Sequence, residues 1–408
     1  MTSSVTENKS RWIYIPLGLI IFMCMGTIYS WSIFRKPIET AFNIGATESG
    51  LPYMIFLVFY ALGMPFAGNY MDKYGPRVMT IAGGLLISVG WFLSGFTSSI
   101  TILTITYGVI GGTGVGIAYG APMAVAAKWF PDKEGLAVGL TLGGFGLSPF
   151  LTAPAASWLI RHFGAFSTFK VLGVLFAVII TLLALPLKFP ESKKSISKKK
   201  NKAKSKLNIG PKKMLKSRSF YALWTTFVIG TIIGLMAIAI SGPVAEEIIN
   251  LDSATASIYV SLFAIFNGIG RPIFGALTDK FKPKITAVIS FLMIILASIL
   301  MIINNSANPV LYFIAFAIFW LNLGGWLAIA PAATSYFFGK ENYSRNYGYL
   351  FTAYGVGAVI GNIFSGQIRD ILGSYKYVFY PTLIIAVIGI IIAVFFLNKD
   401  KKKIAEIN

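Results

Sequence analysis

Charged residues, cysteine and histidine are all scarce in this sequence of 408 residues, and each shortage argues against a class of protein. Only 12% of the residues are charged while 56% are apolar, more than a soluble domain of this length needs for its core. The single cysteine, Cys24, cannot form an intramolecular disulfide, so the fold does not depend on an oxidising compartment. One cysteine and one histidine cannot build a typical metal site, and we expect neither a metal nor a cofactor.

The placement of the ionisable residues disfavours two further functions. The only histidine, His162, has no Asp or Glu near it in the sequence to act as an acid or base partner, which argues against a membrane-embedded enzyme. The chain holds 35 Lys and Arg against 15 Asp and Glu. These basic residues lie between apolar runs rather than among stacking aromatics, so we expect no nucleic-acid partner.

Twelve apolar stretches are long enough to cross a lipid bilayer, which takes ~20 residues per helix. They lie near residues 12–34, 50–70, 77–97, 100–127, 134–160 and 165–188, and then near 219–247, 253–277, 283–304, 307–337, 345–368 and 376–398. The first stretch is longer than a signal-peptide core and lacks a small-residue cleavage site, so we interpret it as a retained span. The sequence thus predicts an all-α membrane protein with twelve transmembrane helices.

The distribution of Lys and Arg predicts the orientation of these helices. With both termini in the cytoplasm, 28 of the 35 Lys and Arg lie on the cytoplasmic side and six on the other, as the positive-inside rule requires. We interpret residues 189–218, which include "KSISKKKNKAKSK", as a cytoplasmic linker between two six-helix halves, 1–188 and 219–408. The linker lysines act mainly as a solvated topology anchor, with some attraction to anionic lipid headgroups. We expect a multi-pass protein of the cell membrane.

An internal repeat relates the two halves. The loop after the second stretch reads "GNYMDKYGPR" from Gly68, and the loop after the eighth reads "GALTDKFKPK" from Gly275, so that Asp72 corresponds to Asp279. The segments "APMAVAAKWF" and "APAATSYFFG" form a second match, at the ends of the fourth and tenth stretches. Two six-helix halves repeated in parallel, with the substrate site between them, are the plan of the major facilitator fold.

The motifs resemble those of the major facilitator superfamily over essentially the whole chain. The segments "GTIYSWSIF" from Gly26, "YGAPMAVAAKWFPDKEGLAVG" from Tyr119 and "NGIGRPIFGALTDK" from Asn267 are similar to the oxalate/formate antiporter family, a relative of the monocarboxylate carriers. This resemblance implies a secondary transporter of a small organic anion that works by alternating access.

Arg271 is the most informative single residue, because it is the one Lys or Arg predicted to lie within a span. An ionised side chain there costs roughly 2.5 kcal/mol or more and usually faces a cavity or a partner. No Asp or Glu is placed by the sequence to pair with it deep in the membrane, so a carboxylate substrate is the natural partner of its planar fork. The alternative is that Arg271 extends toward the cytoplasmic surface without meeting a substrate. The resemblance also implies a substrate-binding arginine at this position.

Further substrate-binding residues are predicted around Arg271. Asn267 lies one helical turn earlier on the same face, and Pro272 frees the backbone carbonyl of Gly268 or simply bends the helix. The resemblance places five aromatic residues around the anion: Tyr29, Trp31, Tyr119, Trp326 and Tyr354. Each of these aromatics could instead serve packing or a lipid-interface belt.

Other residues are predicted to serve gating and helix packing. We interpret Asp72, Arg77, Asp279 and Lys280 as gating residues, with a plain role in topology and solubility as the alternative. Glycines recur every fourth residue on the fourth helix (Gly108, Gly112, Gly116 and Gly120) and on the fifth (Gly135, Gly139 and Gly143), which indicates surfaces of close helix packing.

The substrate class has competing interpretations. Oxalate carriers of the resembled family are expected to use a second cation on helix 11, but Tyr354 stands where we expect that cation, which favours a monocarboxylate of the lactate, pyruvate or formate type. The alternatives are an oxalate or dicarboxylate antiporter, a carrier of a sugar or drug, and a receptor without transport activity. The sequence leaves open the exact substrate, the direction of net flux, proton coupling and the oligomeric state, for which we expect a monomer.

Overall fold

The structure is a computed structural model that describes residues 11–130, 134–190, 209–339 and 342–398. The side chains at positions 66, 68, 69, 72, 134–136 and 344 lie outside this description. Twelve long helices fill the described ranges. In chain order they are α1 (Arg11–Phe42), α2 (46–74), α3 (76–94), α4 (Ile100–Trp129), α5 (Glu134–Phe163), α6 (Ala165–Ala184), α7 (Arg218–Glu247), α8 (253–281), α9 (283–303), α10 (Pro309–Phe338), α11 (Tyr343–Leu372) and α12 (Tyr375–Phe396).

Two of the helix boundaries are sharp backbone breaks at equivalent places in the repeat. Gly75 separates α2 from α3 with φ 76° and ψ 170°, and Lys282 separates α8 from α9 with φ 69° and ψ 160°. Each is followed by a proline, Pro76 or Pro283, whose missing N–H suits the first turn of a new helix. The boundary between the second and third helices of each half is thus formed in the same way.

The prediction of twelve spans in an all-α fold is confirmed. Nine stretches of the described chain are long and apolar enough to cross a membrane, and the 51-residue stretch Ser253–Ile303 among them contains both α8 and α9. The two remaining helices, α2 and α11, pack against each other where the halves meet. The halves also contact each other through α5 and α8 and through α1 and α7.

The two ends of the helix bundle are distinguished by the course of the chain. The indole Nε1 of Trp129 donates to the carbonyl of Lys188 (2.8 Å), and Arg11 donates to the carbonyl of Trp129 (3.4 Å), so α1 begins at the end where the first half finishes. We call this the linker end. The opposite end, where residues 43–45 join α1 to α2, is called the far end.

Residues 209–218 of the predicted linker pack against the second half. The backbone N–H of Ile209 donates to the carbonyl of Phe338 (3.0 Å), and the amide of Asn346 donates to the carbonyl of Ile209 (2.8 Å). A short helix, Pro211–Met214, then leads into α7. The remaining linker residues, 191–208, lie outside the described residues.

The predicted glycine surface is confirmed at Gly108, Gly112 and Gly116 on α4, but not at Gly120 and not on the described part of α5. A β-carbon at Gly116 would stand 2.8 Å from the Cα atom of Gly63, and Gly112 touches the backbone of Phe56, so α4 lies close against α2. A β-carbon at Gly139 or Gly143 would instead meet no described atom within 4 Å. The prediction of close packing is therefore wrong for these two residues, while Gly135 lies outside the described side chains.

Candidate functional site

Arg271 lies at the contact between the two halves. It is carried by α8, and its side chain is 8% exposed. Its Nη1 donates to the carbonyl of Leu142 on α5 at 2.7 Å, which joins the second half to the first. Its Nε and Nη2 atoms are buried without a hydrogen-bond partner among the described residues. The guanidinium thus keeps two donors available for an acceptor that enters from between the halves.

Asn267 lies one turn before Arg271 and is fully buried. Its Nδ2 donates to the carbonyl of Trp320 on α10 at 3.3 Å. Its Oδ1 is buried and has no hydrogen-bond partner within the described chain. The two side chains therefore place free donors and a free acceptor on one face of α8.

Two tyrosines join the halves beside this cluster. The hydroxyl groups of Tyr29 on α1 and Tyr354 on α11 lie 2.7 Å apart and are both buried. Tyr29 is also within electrostatic range of Arg271. The halves are thus held together in the middle of the bundle by two hydroxyls that could each bind a substrate oxygen instead.

Further aromatic rings pack around this tyrosine pair. The ring of Tyr119 lies 5.5 Å from that of Phe145 on α5, which in turn lies 5.1 Å from Tyr29. Tyr60 on α2 contacts both Tyr119 (5.1 Å) and Tyr354 (5.8 Å), so it links the rings of the two halves. The sequence analysis did not single out Tyr60, because it is one of 19 tyrosines and carries no motif signal.

The two tryptophans that were predicted to bind substrate make their contacts inside the separate halves, away from this cluster. Trp31 donates to the carbonyl of Ser49 at 3.2 Å, and its ring packs against Tyr107 inside the first half. Trp326 lies against Gly230 and against the ring of Phe291 (5.3 Å), inside the second half. The structure thus brings together Arg271, Asn267, Tyr29, Tyr119 and Tyr354, but it gives neither tryptophan a described contact with these residues.

One face of α5 is covered beside Arg271 and uncovered toward the linker end. Gly139, Gly143 and Gly146 lie on one face of α5. A β-carbon at Gly146 would stand 2.6 Å from Oδ1 of Asn267, whereas one at Gly143 or Gly139 would meet no described atom within 4 Å. The helices α5 and α8 are therefore in contact at the level of Arg271, whereas no described atom covers the same face of α5 at Gly143 and Gly139.

The far end is closed by contacts between the halves. Asp370, near the end of α11, accepts hydrogen bonds from the backbone N–H groups of Ala46 (2.8 Å) and Thr47 (2.9 Å) at the start of α2. Lys36 on α1 forms an ion pair with Glu247 on α7 at 3.7 Å. Both contacts would have to break before a path could open at this end.

Arg35 is a second buried arginine, which the sequence analysis placed beyond the first span. It is 1% exposed and lies within α1. Its Nη1 donates to the carbonyl of Ala239 on α7 at 3.3 Å, and its Nε donates to the hydroxyl of Ser49 at 3.1 Å. Glu39 lies 3.9 Å from the same Nε. Unlike Arg271, this guanidinium is held by protein groups at the far end.

The predicted gating residues lie at the linker end. Arg77, Asp279 and Lys280 are exposed there. The side chain of Asp72 lies outside the described residues, so its gating role stays a prediction. The contacts that join the halves in this structure are instead made by residues that the sequence analysis did not assign to gating, Asp370 and Arg35 among them.

Comparison with known proteins supports a transport function for this architecture. The family model described as the Major Facilitator Superfamily matches residues 17–327 and 227–408. The oxalate:formate antiporter of Oxalobacter formigenes is 29% identical over 388 residues, which cover 95% of this chain and 91% of that protein. Human monocarboxylate transporter 2 is 26% identical over 397 residues, covering 90% and 82%. The crystal structure of a D-xylose-proton symporter shares the fold, with a TM-score of 0.73 at 14% identity and coverage of 96% and 98%.

Proposed function

Because the chain belongs to the major facilitator superfamily, we propose that it is a secondary transporter that carries a small organic anion across a membrane by alternating access. In alternating access, a site between two halves is reached first from one side of the membrane and then from the other. The contacts that close the far end, and the face of α5 that is uncovered toward the linker end, support this mode of transport. The substrate site is the cluster around Arg271, and no catalytic role is assigned to any residue.

The observation that carries the proposal is that two of the three guanidinium nitrogens of Arg271 have no hydrogen-bond partner among the described residues. These two are Nε and Nη2, which are both buried, while Nη1 donates to the carbonyl of Leu142. A carboxylate that accepts hydrogen bonds from Nε and Nη2 would use both free donors in the parallel geometry that arginine and carboxylate prefer. It would also neutralise a charge that is costly to bury within a membrane protein.

The substrate is a monocarboxylate in preference to a dicarboxylate. The other buried arginine, Arg35, is engaged at the far end by Glu39, Ser49 and backbone carbonyls. On α11, the position expected for a second substrate-binding cation holds Tyr354. A dianion at this site would keep a surplus negative charge in a low-dielectric cavity, which is costly unless it is paired. The names of the two relatives, an oxalate:formate antiporter and a monocarboxylate transporter, are compatible with this substrate range.

The linker end faces the cytoplasm, and the protein acts in the cell membrane. This orientation rests on the 28 Lys and Arg that fall on the linker side, against six at the far end. With Arg35 buried inside α1, the exposed positive charge of the far end is smaller still. Both termini then lie in the cytoplasm, and the transporter acts as a monomer.

Exchange assays in reconstituted vesicles test the proposed function. Vesicles loaded with unlabelled anion are given labelled formate, acetate, lactate, pyruvate, oxalate or malonate, and uptake is compared with that of protein-free vesicles. We expect rapid exchange of at least one monocarboxylate. Tighter binding of oxalate than of every monocarboxylate would favour the dicarboxylate alternative, and absence of exchange with every anion would contradict the proposal.

A further inference from the structure

Glu247, at the end of α7, is shared by two cations at the far end. Its Oε2 accepts from Nε of Arg369 on α11 at 2.7 Å, while its Oε1 lies 3.7 Å from Nζ of Lys36 on α1. The side chain of Glu247 is 20% exposed and that of Lys36 is 51% exposed. Only the pair with Lys36 crosses between the halves, because α7 and α11 both belong to the second half. When the far end opens, the longer and more exposed pair breaks and the shorter pair stays intact.

The partner of Glu247 in its own half weakens the ion pair that crosses between the halves. The guanidinium of Arg369 binds one carboxylate oxygen, so Lys36 interacts with a charge that is already partly neutralised. Lys36 and Arg369 also carry like charges on two sides of one carboxylate, and their repulsion acts only while the halves are together. Both effects lower the free energy that is needed to separate Lys36 from Glu247.

The charged contact made by Arg35 is arranged in the same way. Arg35 on α1 donates across the halves to the carbonyl of Ala239 at 3.3 Å. Within its own half, its Nε donates to Ser49 at 3.1 Å and lies 3.9 Å from Glu39. When α7 moves away, Arg35 loses a neutral acceptor and keeps its counter-ion. Because an unpaired buried charge is costly, such pairs within one half let the halves separate without leaving a charge unpaired.

We propose that Arg369 is a positioning residue that keeps the far end able to open, because it holds Glu247 within the second half and weakens its attraction to Lys36. Within the described residues, no hydrogen bond or ion pair joins Arg369 to the first half. Glu39 of the first half lies within electrostatic range of Arg369, but its carboxylate is engaged by Ser49 at 2.6 Å. The inference rests on the proposed alternating access. It predicts that the loss of Arg369 closes the far end further, whereas the loss of a simple structural ion pair would loosen it.

Opening of the far end is measured by the labelling of a single cysteine. Ser32 is 3% exposed and lies beside Gly242 where α1 meets α7, so Ser32→Cys in a Cys24→Ser background is protected while the far end is closed. A membrane-impermeant maleimide is added to intact cells that express the full chain, in the absence of substrate. We expect Arg369→Met to slow labelling about two- to fivefold, the range for one partly exposed ion pair.

Three further variants locate the effect in the charge of Arg369 and its action on Lys36. Lys36→Met removes the pair between the halves and should speed labelling. In the double variant Lys36→Met, Arg369→Met, Glu247 has no lysine to bind, so labelling should be as fast as in Lys36→Met alone. Arg369→Lys retains the charge and should label near the parental rate. Arg161→Met removes an exposed arginine at the end of α5 and is the matched control, for which the rate should stay unchanged.

The outcomes separate this inference from the proposed function. Parental or faster labelling of Arg369→Met would overturn the inference, because Arg369 would then only brace the closed state. It would equally be overturned by slowing that persists in the double variant, or that Arg369→Lys shows in full, since the effect would then not act through charge on Lys36. These results would leave the proposed transport intact. Absence of labelling in both the folded parent and Lys36→Met would contradict opening of the far end, and with it alternating access.

Discussion

Asp370 and Ala46 are joined by a hydrogen bond of 2.8 Å, although 324 positions separate them in the sequence. The carboxylate of Asp370 also accepts from the backbone N–H of Thr47, so it caps the first turn of α2 from the other half of the molecule. The free N–H groups and the partial positive charge of a helix N-terminus make such a carboxylate stabilising. This contact therefore favours the conformation in which the far end is closed.

Asp370→Asn should open the far end more often. An amide keeps one acceptor but loses the charge and the second oxygen, which costs about 1 kcal/mol and corresponds to about a fivefold shift toward the open state. Ser32, buried beside Gly242 where α1 meets α7, is changed to cysteine in a Cys24→Ser background. We expect faster labelling of this cysteine by a membrane-impermeant maleimide in the Asp370→Asn variant.

Asp252→Asn is the matched control for this measurement. Asp252 also caps a helix, since it accepts from the backbone N–H groups of Ala254 and Thr255, but it does so within its own half. Its replacement should leave the labelling rate of the cysteine unchanged. If both aspartate variants label at the parental rate, Asp370 does not hold the far end closed.

Arg271→Gln should abolish specific anion binding. Removal of one partner of a desolvated ion pair costs several kcal/mol, which corresponds to a loss of affinity of about a hundredfold or more. Arg271→Lys keeps the charge but replaces the fork by a point charge, so affinity should fall while the protein still folds. Arg161→Gln removes an exposed arginine and serves as the control. Near-parental affinity of Arg271→Gln at matched amounts of folded protein would mean that its charge never meets the substrate.

Exchange should be faster than net efflux. The empty carrier must change conformation while Nε and Nη2 of Arg271 have no partner among the residues that the structure describes. The single hydrogen bond to the Leu142 carbonyl does not neutralise the guanidinium. Efflux of labelled substrate from vesicles is measured with and without unlabelled substrate outside. A several-fold stimulation by external substrate is expected, and identical rates would argue that the empty carrier returns as easily as the loaded one.

Asp72→Asn should slow turnover with a smaller change in substrate affinity. Asp72 lies near the linker end of α2, where a carboxylate can bond a helix N-terminus or a cation in only one of the two conformations. Exchange rates and affinities are measured in the same vesicle preparation for the parent and the variant. An unchanged exchange rate would mean that Asp72 contributes only to membrane topology and solubility.

The amino-acid sequence alone predicts the number of helices, the repeat that relates the two halves and the special position of Arg271. Each of these follows from local properties of the chain: the length of an apolar run, a loop motif that occurs twice, and a charge inside an otherwise apolar segment. Such signals do not depend on how the helices are rotated or paired.

Which polar groups meet across the halves depends on how the helices pack. Arg35 stands at the end of an apolar run and looks like a loop residue in the sequence, yet α7 covers it from 204 positions away. Tyr29 and Trp31 are neighbours in one motif, but the rotation of α1 turns Tyr29 toward Tyr354 and Trp31 toward Tyr107. Apolar periodicity cannot resolve this difference, because a transmembrane helix is apolar toward lipid as well as toward its neighbours, and only packing fixes which face lines the site.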